Sequence, residues 1–170
     1  IMKSAIVTGA NGFIGKHLCR ILIKNNVQVF AVVRNTSGME EFLTEPNFEI
    51  IEASISDYEQ QLINYVPKKI DVFYHLAWVG EQRLTDGSIE QQLKNVTLSS
   101  NAIKAAKNIG CSKFINSGTI EETYAEWHLN KGSKFNSTQE NYAIAKLASR
   151  DMCLMTSYLE KIDYIHTRLS

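Results

Sequence analysis

The 170-residue chain is long enough for one domain with a complete core, and its 44% hydrophobic and 21% charged residues are typical of a globular protein. Its 18 Lys and Arg residues balance 18 Asp and Glu residues, so no net field would attract nucleic acid or an anionic membrane. Three widely spaced cysteines and four scattered histidines argue against a disulfide framework and a metal site, and favour a reducing, cytoplasmic compartment.

Strand-like and helix-like segments alternate along the sequence. Residues 27–33 are β-branched and almost wholly apolar, as expected of a strand that is covered on both faces. We expect a long irregular, functional or mobile segment at 123–139. The alternation predicts a doubly wound α/β fold, with a mostly parallel Rossmann-like sheet and helices on both faces. The predicted strands are 4–8, 27–33, 48–52, 70–76, 113–116 and 163–168, and the predicted helices are 13–24, 88–108 and 141–160.

Three glycines separate the first predicted strand from the first predicted helix. Gly9, Gly12 and Gly15 stand where the chain turns, and glycine allows a tight turn whose backbone N–H groups approach a ligand closely. The N-terminus of the following helix adds about half a positive charge. A strand, a glycine turn and a helix in this order predict a loop that binds a pyrophosphate.

The sequence of this loop, TGANGFIG at residues 8–15, resembles the extended short-chain dehydrogenase/reductase family of nucleotide-sugar epimerases and dehydratases. Residues 75–78 resemble the family's H-L-A segment after the fourth strand, and Asn95 resembles its helix asparagine. Residues 54–57 stand where the family commonly has D-L-x-D, with Ser54 in place of the first aspartate. The resemblance implies that a nicotinamide dinucleotide contacts Gly9, Asn11, Gly12, Phe13, Ile14, Gly15, Ser54, Ile55, Leu76, Ala77, Trp78 and Asn95.

Tyr142 and Lys146 lie four residues apart in a predicted helix and therefore share one face. A free phenol has a pKa near ~10, and a cation about 5 Å away stabilises the phenolate by about 3 kcal/mol at an effective dielectric constant of about 20. The pair therefore predicts an acid/base site, and the family resemblance implies that both residues also contact the cofactor. A second pair with this spacing, Tyr65 and Lys69, contains Pro67 and is predicted to lie in a surface turn.

Thr119 follows the fifth predicted strand, at the edge of the sheet where doubly wound folds bind ligands. The resemblance implies that Thr119 hydrogen-bonds the reacting sugar oxygen while Tyr142 exchanges a proton. Related 4,6-dehydratases commonly continue with Asp-Glu or Ser-Glu. Here Glu121 matches the glutamate, but Ile120 cannot donate a proton, which weakens the dehydratase interpretation.

Arg34 and Asn35 follow the second predicted strand, where this fold presents a side chain to the adenosine ribose. No Asp or Glu lies between Gly15 and Glu40 to accept hydrogen bonds from a 2′-hydroxyl. A guanidinium pairs well with a 2′-phosphate, so NADP is favoured over NAD as the cofactor.

The resemblance implies a nicotinamide-dependent nucleotide-sugar epimerase or 4-ketoreductase, and we expect it to act as a homodimer. The alternatives are a nucleotide-sugar 4,6-dehydratase, a reductase of small carbonyl compounds and a non-catalytic NAD(P)-sensing protein with the same fold. We expect residues 1–170 to be the NAD(P)-binding domain, with the substrate-binding region outside this chain.

Overall fold

The computed structural model describes residues 1–80, 88–132 and 139–170, except for the side chain of Gln139. The strands are β1 (Ser4–Thr8), β2 (Gln28–Val33), β3 (Phe48–Glu52), β4 (Val72–His75), β5 (Lys113–Thr119) and β6 (Asp163–Leu169). The helices are α1 (Phe13–Lys24), α2 (Tyr58–Tyr65), α3 (Ile89–Ile109), α4 (Glu121–Lys131) and α5 (Gln139–Glu160). The strands pair in parallel in the order β3-β2-β1-β4-β5-β6, which confirms the predicted doubly wound sheet.

The core lies on both faces of the sheet because successive strand residues point to opposite sides. Ile6 of β1 packs in one cluster with Leu62 of α2 and Ile103 of α3. Ala5, its neighbour in β1, belongs to a second cluster with Cys19 of α1. From β1 the chain adds β2 and β3 on one side of the sheet, and then β4, β5 and β6 on the other side. A doubly wound sheet binds its ligand in the crevice at this switch point, between β1 and β4.

Most predicted elements agree with the observed ones to within two residues at each end. The fifth strand is the exception, because β5 continues to Thr119 instead of ending at residue 116. Helix α2 and two short 3-10 helices, Glu40–Phe42 and Ile55–Asp57, were not predicted. The predicted surface turn is wrong for Tyr65, which is the last residue of α2. Lys69 lies beyond the helix with φ +70°, so this second Tyr/Lys pair shares no helix face, as predicted.

The prediction of an irregular segment at 123–139 is wrong for its first part, because α4 continues to Lys131. This helix buries Glu122 and Ala125 alone among its residues, so its sequence has no apolar stripe of the usual width. Gly132 ends the helix in the left-handed conformation, with φ +62°. Residues 133–138 lie outside the described residues. Among the helices that are described, none is long and apolar enough to cross a membrane.

Candidate active site

The turn after β1 is closed so tightly that side chains would not fit at two of its glycines. Gly9 has φ +64°, and a Cβ atom there would lie 3.0 Å from the backbone nitrogen of Ala77. A Cβ atom on Gly15 would lie 2.3 Å from the carbonyl oxygen of Gly9, which also accepts a hydrogen bond from the Gly12 N–H at 3.0 Å. The turn and the start of α1 thus present bare backbone to the crevice, which suits a phosphate group.

A buried hydroxyl network joins this turn to the end of β4. The Oγ1 atom of Thr8 accepts hydrogen bonds from the backbone N–H groups of Leu76 (3.2 Å) and Ala77 (3.3 Å), and lies 3.0 Å from Nδ1 of His75. Two donors occupy the oxygen lone pairs, so the Thr8 hydrogen is directed to Nδ1. The imidazole is therefore neutral, with its own hydrogen on Nε2, 3.2 Å from Oγ of Ser99. Burial, together with the charge of Lys146, lowers the pKa of His75 to about 3.

A cavity of about 630 Å³ opens beside this network, at the carboxyl ends of the central strands. It brings together most of the residues that the sequence indicated, from the glycine turn, the end of β2, the segment after β4, the end of β5 and helix α5. The predicted residues that line it are Gly9, Asn11, Gly12, Phe13, Ile14, Gly15, Arg34, Ile55, Leu76, Ala77, Trp78, Thr119, Tyr142 and Lys146.

Three predicted cofactor residues do not line this cavity. The carbonyl oxygen of Asn35 accepts a hydrogen bond from the Asn11 side chain at 3.4 Å, which links the residue to the glycine turn. Ser54 pairs through its hydroxyl with the hydroxyl of Ser56 at 3.0 Å. Asn95, fully buried in α3, accepts from the Val79 N–H at 2.9 Å and donates to the Val79 carbonyl at 2.8 Å. Asn95 therefore fixes the segment that lines the cavity.

Tyr142 and Lys146 are both 4% exposed and face the cavity from α5. The Lys146 ammonium donates to the carbonyl oxygen of Ser117 at 2.9 Å, and its nitrogen lies 5.8 Å from the centre of the Tyr142 ring. The same nitrogen lies 3.8 Å from the centre of the Trp78 ring. The indole N–H of Trp78 donates to the buried amide oxygen of Gln92 at 3.1 Å, so the ring is fixed above the ammonium.

Thr119, at the end of β5, lines the cavity together with Ile120 and Glu121. Its hydroxyl accepts a hydrogen bond from the Glu121 N–H at 3.3 Å, and its own N–H donates to Oε1 of Glu122 at 2.9 Å. Burial alone would raise the pKa of Glu122, but hydrogen bonds from His166 and Thr119 and the charge of Arg168 leave it below its ordinary value.

The sequence interpretation missed several residues of this region. Tyr58 lines the cavity, stands edge-on to His75 with ring centres 6.5 Å apart, and has a pKa raised by burial. Its position follows from the unpredicted helix α2. The sequence did not single out Glu122, and His166 was only one of four scattered histidines. Each has a role that depends on the other, 44 residues away, so no local signal would have revealed it.

Comparison with known proteins adds independent information. The model of the NAD dependent epimerase/dehydratase family matches residues 5–170. Among solved structures, UDP-glucuronic acid 4-epimerase from Bacillus cereus, in complex with UDP-glucuronic acid and NAD, is 25% identical with a TM-score of 0.72. The match covers 97% of this chain and 55% of that one.

Two further solved structures give similar values. UDP-N-acetylglucosamine 4-epimerase from Methanobrevibacter ruminantium M1, in complex with UDP-N-acetylmuramic acid, is 25% identical with a TM-score of 0.73, over 98% of this chain and 54% of that one. The Bordetella bronchiseptica enzyme WbmH, in complex with NAD+, is 25% identical with a TM-score of 0.69, over 100% of this chain and 57% of that one. The chain thus spans about half the length of these proteins.

Proposed function

The chain belongs to the NAD-dependent epimerase/dehydratase family, and on that basis we propose that it is the cofactor-binding part of a nucleotide-sugar 4-epimerase or 4-ketoreductase. The observation that carries the proposal is that Thr119, Tyr142 and Lys146 line the same cavity as the glycine turn. The sugar-binding region then lies outside residues 1–170. A cytoplasmic location belongs to the same proposal and is supported by three buried free cysteines.

The chemistry divides among three side chains. When bound, a nicotinamide dinucleotide would accept a hydride from the sugar or return one to it. Tyr142 would exchange its phenolic proton with the reacting sugar oxygen, and the nearby Lys146 ammonium would stabilise the phenolate. Thr119 would donate a hydrogen bond to the same sugar oxygen and keep its proton. The glycine turn, with its exposed backbone and the N-terminus of α1, would hold the pyrophosphate.

Substitution of Tyr142 tests the proposed chemistry. In the full-length protein, Tyr142→Phe should abolish turnover and change cofactor affinity only a few-fold, because the ring packing survives. Lys146→Ala should lower both turnover and cofactor affinity, since the lysine is proposed to bind the nicotinamide ribose too. Tyr65→Phe, at the exposed end of α2, is the matched control. More than a tenth of wild-type activity in Tyr142→Phe would contradict the proton-transfer role.

The reaction type is tested by a substrate screen of the full-length protein. UDP-glucose, UDP-N-acetylglucosamine, UDP-glucuronic acid, a UDP-4-keto sugar and simple ketones would each be supplied with oxidised and with reduced nicotinamide cofactor. Products would be separated by chromatography and nicotinamide absorbance followed. An epimerase yields an isomer with no net change in absorbance, whereas a 4-ketoreductase or a small-carbonyl reductase consumes reduced cofactor. Cofactor binding without any turnover would favour the NAD(P)-sensing alternative.

A 4,6-dehydratase is the second candidate, because Glu121 lines the cavity next to Thr119. Glu121 would act there as a base, although Ile120 offers no proton to the leaving water. A product that is lighter by one water, formed by the wild type and lost in Glu121→Gln, would favour dehydration. An isomeric product that Glu121→Gln still forms would exclude it.

The proposal includes a preference for NADP, although two of the matched structures contain NAD. Arg34 follows β2, is exposed and lines the cavity, so its guanidinium is available to a 2′-phosphate. Arg34→Ala should weaken NADP binding about thirtyfold, or about 2 kcal/mol, and NAD binding far less. Arg20→Ala, which removes an exposed arginine paired with Glu41, is the matched control. Equal affinity of the wild type for both cofactors, or equal weakening of both by Arg34→Ala, would contradict the preference.

The proposed homodimer would use the outer face of α5. Ile144, Met152, Met155 and Leu159 form an exposed apolar stripe at helical spacing. A stripe of this kind is self-complementary when two copies pack about a twofold axis. Met155→Glu should therefore convert dimers to monomers in sedimentation velocity, and Ile21→Glu on the exposed side of α1 should not. A monomeric wild type would contradict this part of the proposal.

A further inference from the structure

The carboxylate of Glu122 is buried next to Thr119 and does not itself line the cavity. We propose that Glu122 is a positioning residue, which holds the backbone of Thr119 in the place where this threonine lines the cavity. The proposal rests on the catalytic role proposed above for Thr119. It assigns to Glu122 a contribution to turnover that acts through Thr119 and not through the substrate.

The contacts of Glu122 fix its carboxylate from several directions. The side chain is 0% exposed. Its Oε1 atom accepts the Thr119 N–H at 2.9 Å. Nε2 of His166 lies 2.9 Å from Oε2 and 3.1 Å from Oε1, and Nε of Arg168 lies 3.3 Å from Oε2. A buried carboxylate with this many donors cannot move without leaving one of them unpaired, which is costly in a site that excludes water.

The residue before Thr119 leaves room for this arrangement. Gly118 has no side chain, and a Cβ atom there would lie 2.4 Å from Oε1 of Glu122 and 2.3 Å from Nε2 of His166. The glycine therefore lets the carboxylate and the imidazole approach the strand backbone directly. A larger residue at this position would displace the same oxygen that accepts the Thr119 N–H.

The network also connects Thr119 with the helix that carries the other two proposed catalytic groups. Arg168 pairs with Glu126 at 2.8 Å, and Glu126 pairs with Arg150 of α5 at 2.6 Å. Arg150 follows Lys146 by one helical turn. Glu122 thus lies where β5, β6, α4 and α5 meet, and it is the member of this network that touches Thr119.

The first experiment compares two identical chemical changes in the full-length protein. Glu122→Gln replaces the carboxylate that accepts the Thr119 N–H with a neutral amide. Glu126→Gln makes the same replacement at a residue of the network for which no hydrogen bond to Thr119 is observed among the described residues. With the nucleotide sugar turned over fastest in the substrate screen, Glu122→Gln should lower kcat about 10- to 100-fold with little change in KM, as expected for a displaced catalytic group. Hydrogen exchange at the Thr119 amide should accelerate in Glu122→Gln alone. Equal effects of the two substitutions would overturn the proposal.

A double-mutant cycle separates positioning from general loss of structure. Thr119→Val should lower kcat, and Glu122→Gln added to it should lower kcat no further, because the group that Glu122 positions is already gone. Additive effects would overturn the inference and leave the role of Thr119 intact. A Thr119→Val enzyme with normal kcat would instead refute the proposed function. If Glu122→Gln does not fold, His166→Gln, which removes one partner of the carboxylate, should show a smaller loss of kcat that again disappears in the Thr119→Val background.

Discussion

Replacing Thr8 with valine keeps the shape of the side chain but removes an oxygen that contacts three polar groups. The backbone N–H groups of Leu76 and Ala77 lose their acceptor, and Nδ1 of His75 loses its donor. Thr8 is 0% exposed, so water does not replace the hydroxyl without a rearrangement of the turn. The change therefore tests whether this network holds the glycine turn against the segment after β4.

The size of the effect follows from the geometry. A buried polar group without its partner costs about 1–3 kcal/mol. The two amide contacts are long, at 3.2 and 3.3 Å, and both amides belong to half-buried residues, so the low end of this range applies. With about 1 kcal/mol for each of the three groups, Thr8→Val should lower the free energy of unfolding by about 3 kcal/mol.

Urea denaturation, followed by both circular dichroism and tryptophan fluorescence, measures this difference. Thr8→Ser is the matched control, because it retains the hydroxyl and loses only a methyl group, at a cost of about 1 kcal/mol. Cofactor affinity should fall in Thr8→Val as well, because Thr8 directly precedes Gly9, the first residue of the glycine turn. A loss of less than about 1 kcal/mol in Thr8→Val, or an equal loss in Thr8→Ser, would refute the reasoning.

Further predictions concern pH and the glycines. Because burial lowers the folded pKa of His75 from 6.5 to about 3, its contribution to stability is complete above pH 6.5 and falls as the pH drops towards 3. The free energy of unfolding should therefore decrease by about 1.6 kcal/mol from pH 6.5 to 5, and His75→Gln should remove this pH dependence. An unchanged pH dependence in His75→Gln would contradict its assignment to His75. Gly118→Ala should cost about 3 kcal/mol by overpacking against His166. Gly132→Ala should cost about 1 kcal/mol, because Gly132 has φ +62° but an added Cβ atom would have no atom of the described residues within 4 Å. Equal costs in denaturation would argue against crowding at Gly118. Gly15→Ala should weaken cofactor binding at least about tenfold in a titration, because its Cβ would enter the closed turn, and unchanged affinity would contradict that geometry.

The parts of the fold that the sequence could predict are those fixed by local patterns. The apolar run in β2 specifies a strand buried on both faces, and the glycines after β1 specify a turn that other residues cannot make. The four-residue spacing of Tyr142 and Lys146 placed both on one face of α5, where they do line one cavity. Each of these inferences needed only the period of a helix or a strand.

The parts that were missed depend on contacts between distant segments. Helix α4 buries one apolar residue, Ala125, and one carboxylate, Glu122, so hydropathy does not reveal it. The carboxylate is stable there because β6 brings His166 and Arg168 to it and β5 brings the Thr119 N–H. Asn95 was recognised as a residue of the family pattern, yet its contacts are with Val79 and not with the cavity. The pattern identified the residue, but its contacts came from tertiary structure.

Thr8 and Glu122 meet the same physical requirement at two neighbouring places on the sheet. Where a parallel strand ends, backbone N–H groups leave the hydrogen-bond ladder, and a site that must exclude water cannot satisfy them with solvent. At the end of β4, the Thr8 hydroxyl accepts two such N–H groups, and at the end of β5 the Glu122 carboxylate accepts that of Thr119. A neutral hydroxyl suffices beside the buried, neutral His75. A carboxylate is stable at the second place because the Arg168 cation and the His166 N–H face it there. The choice of acceptor therefore follows from the charges around each strand end. Exchanging the two types of side chain would leave an unpaired carboxylate beside His75, and would leave the Arg168 guanidinium with Glu126 as its remaining carboxylate partner among the described residues.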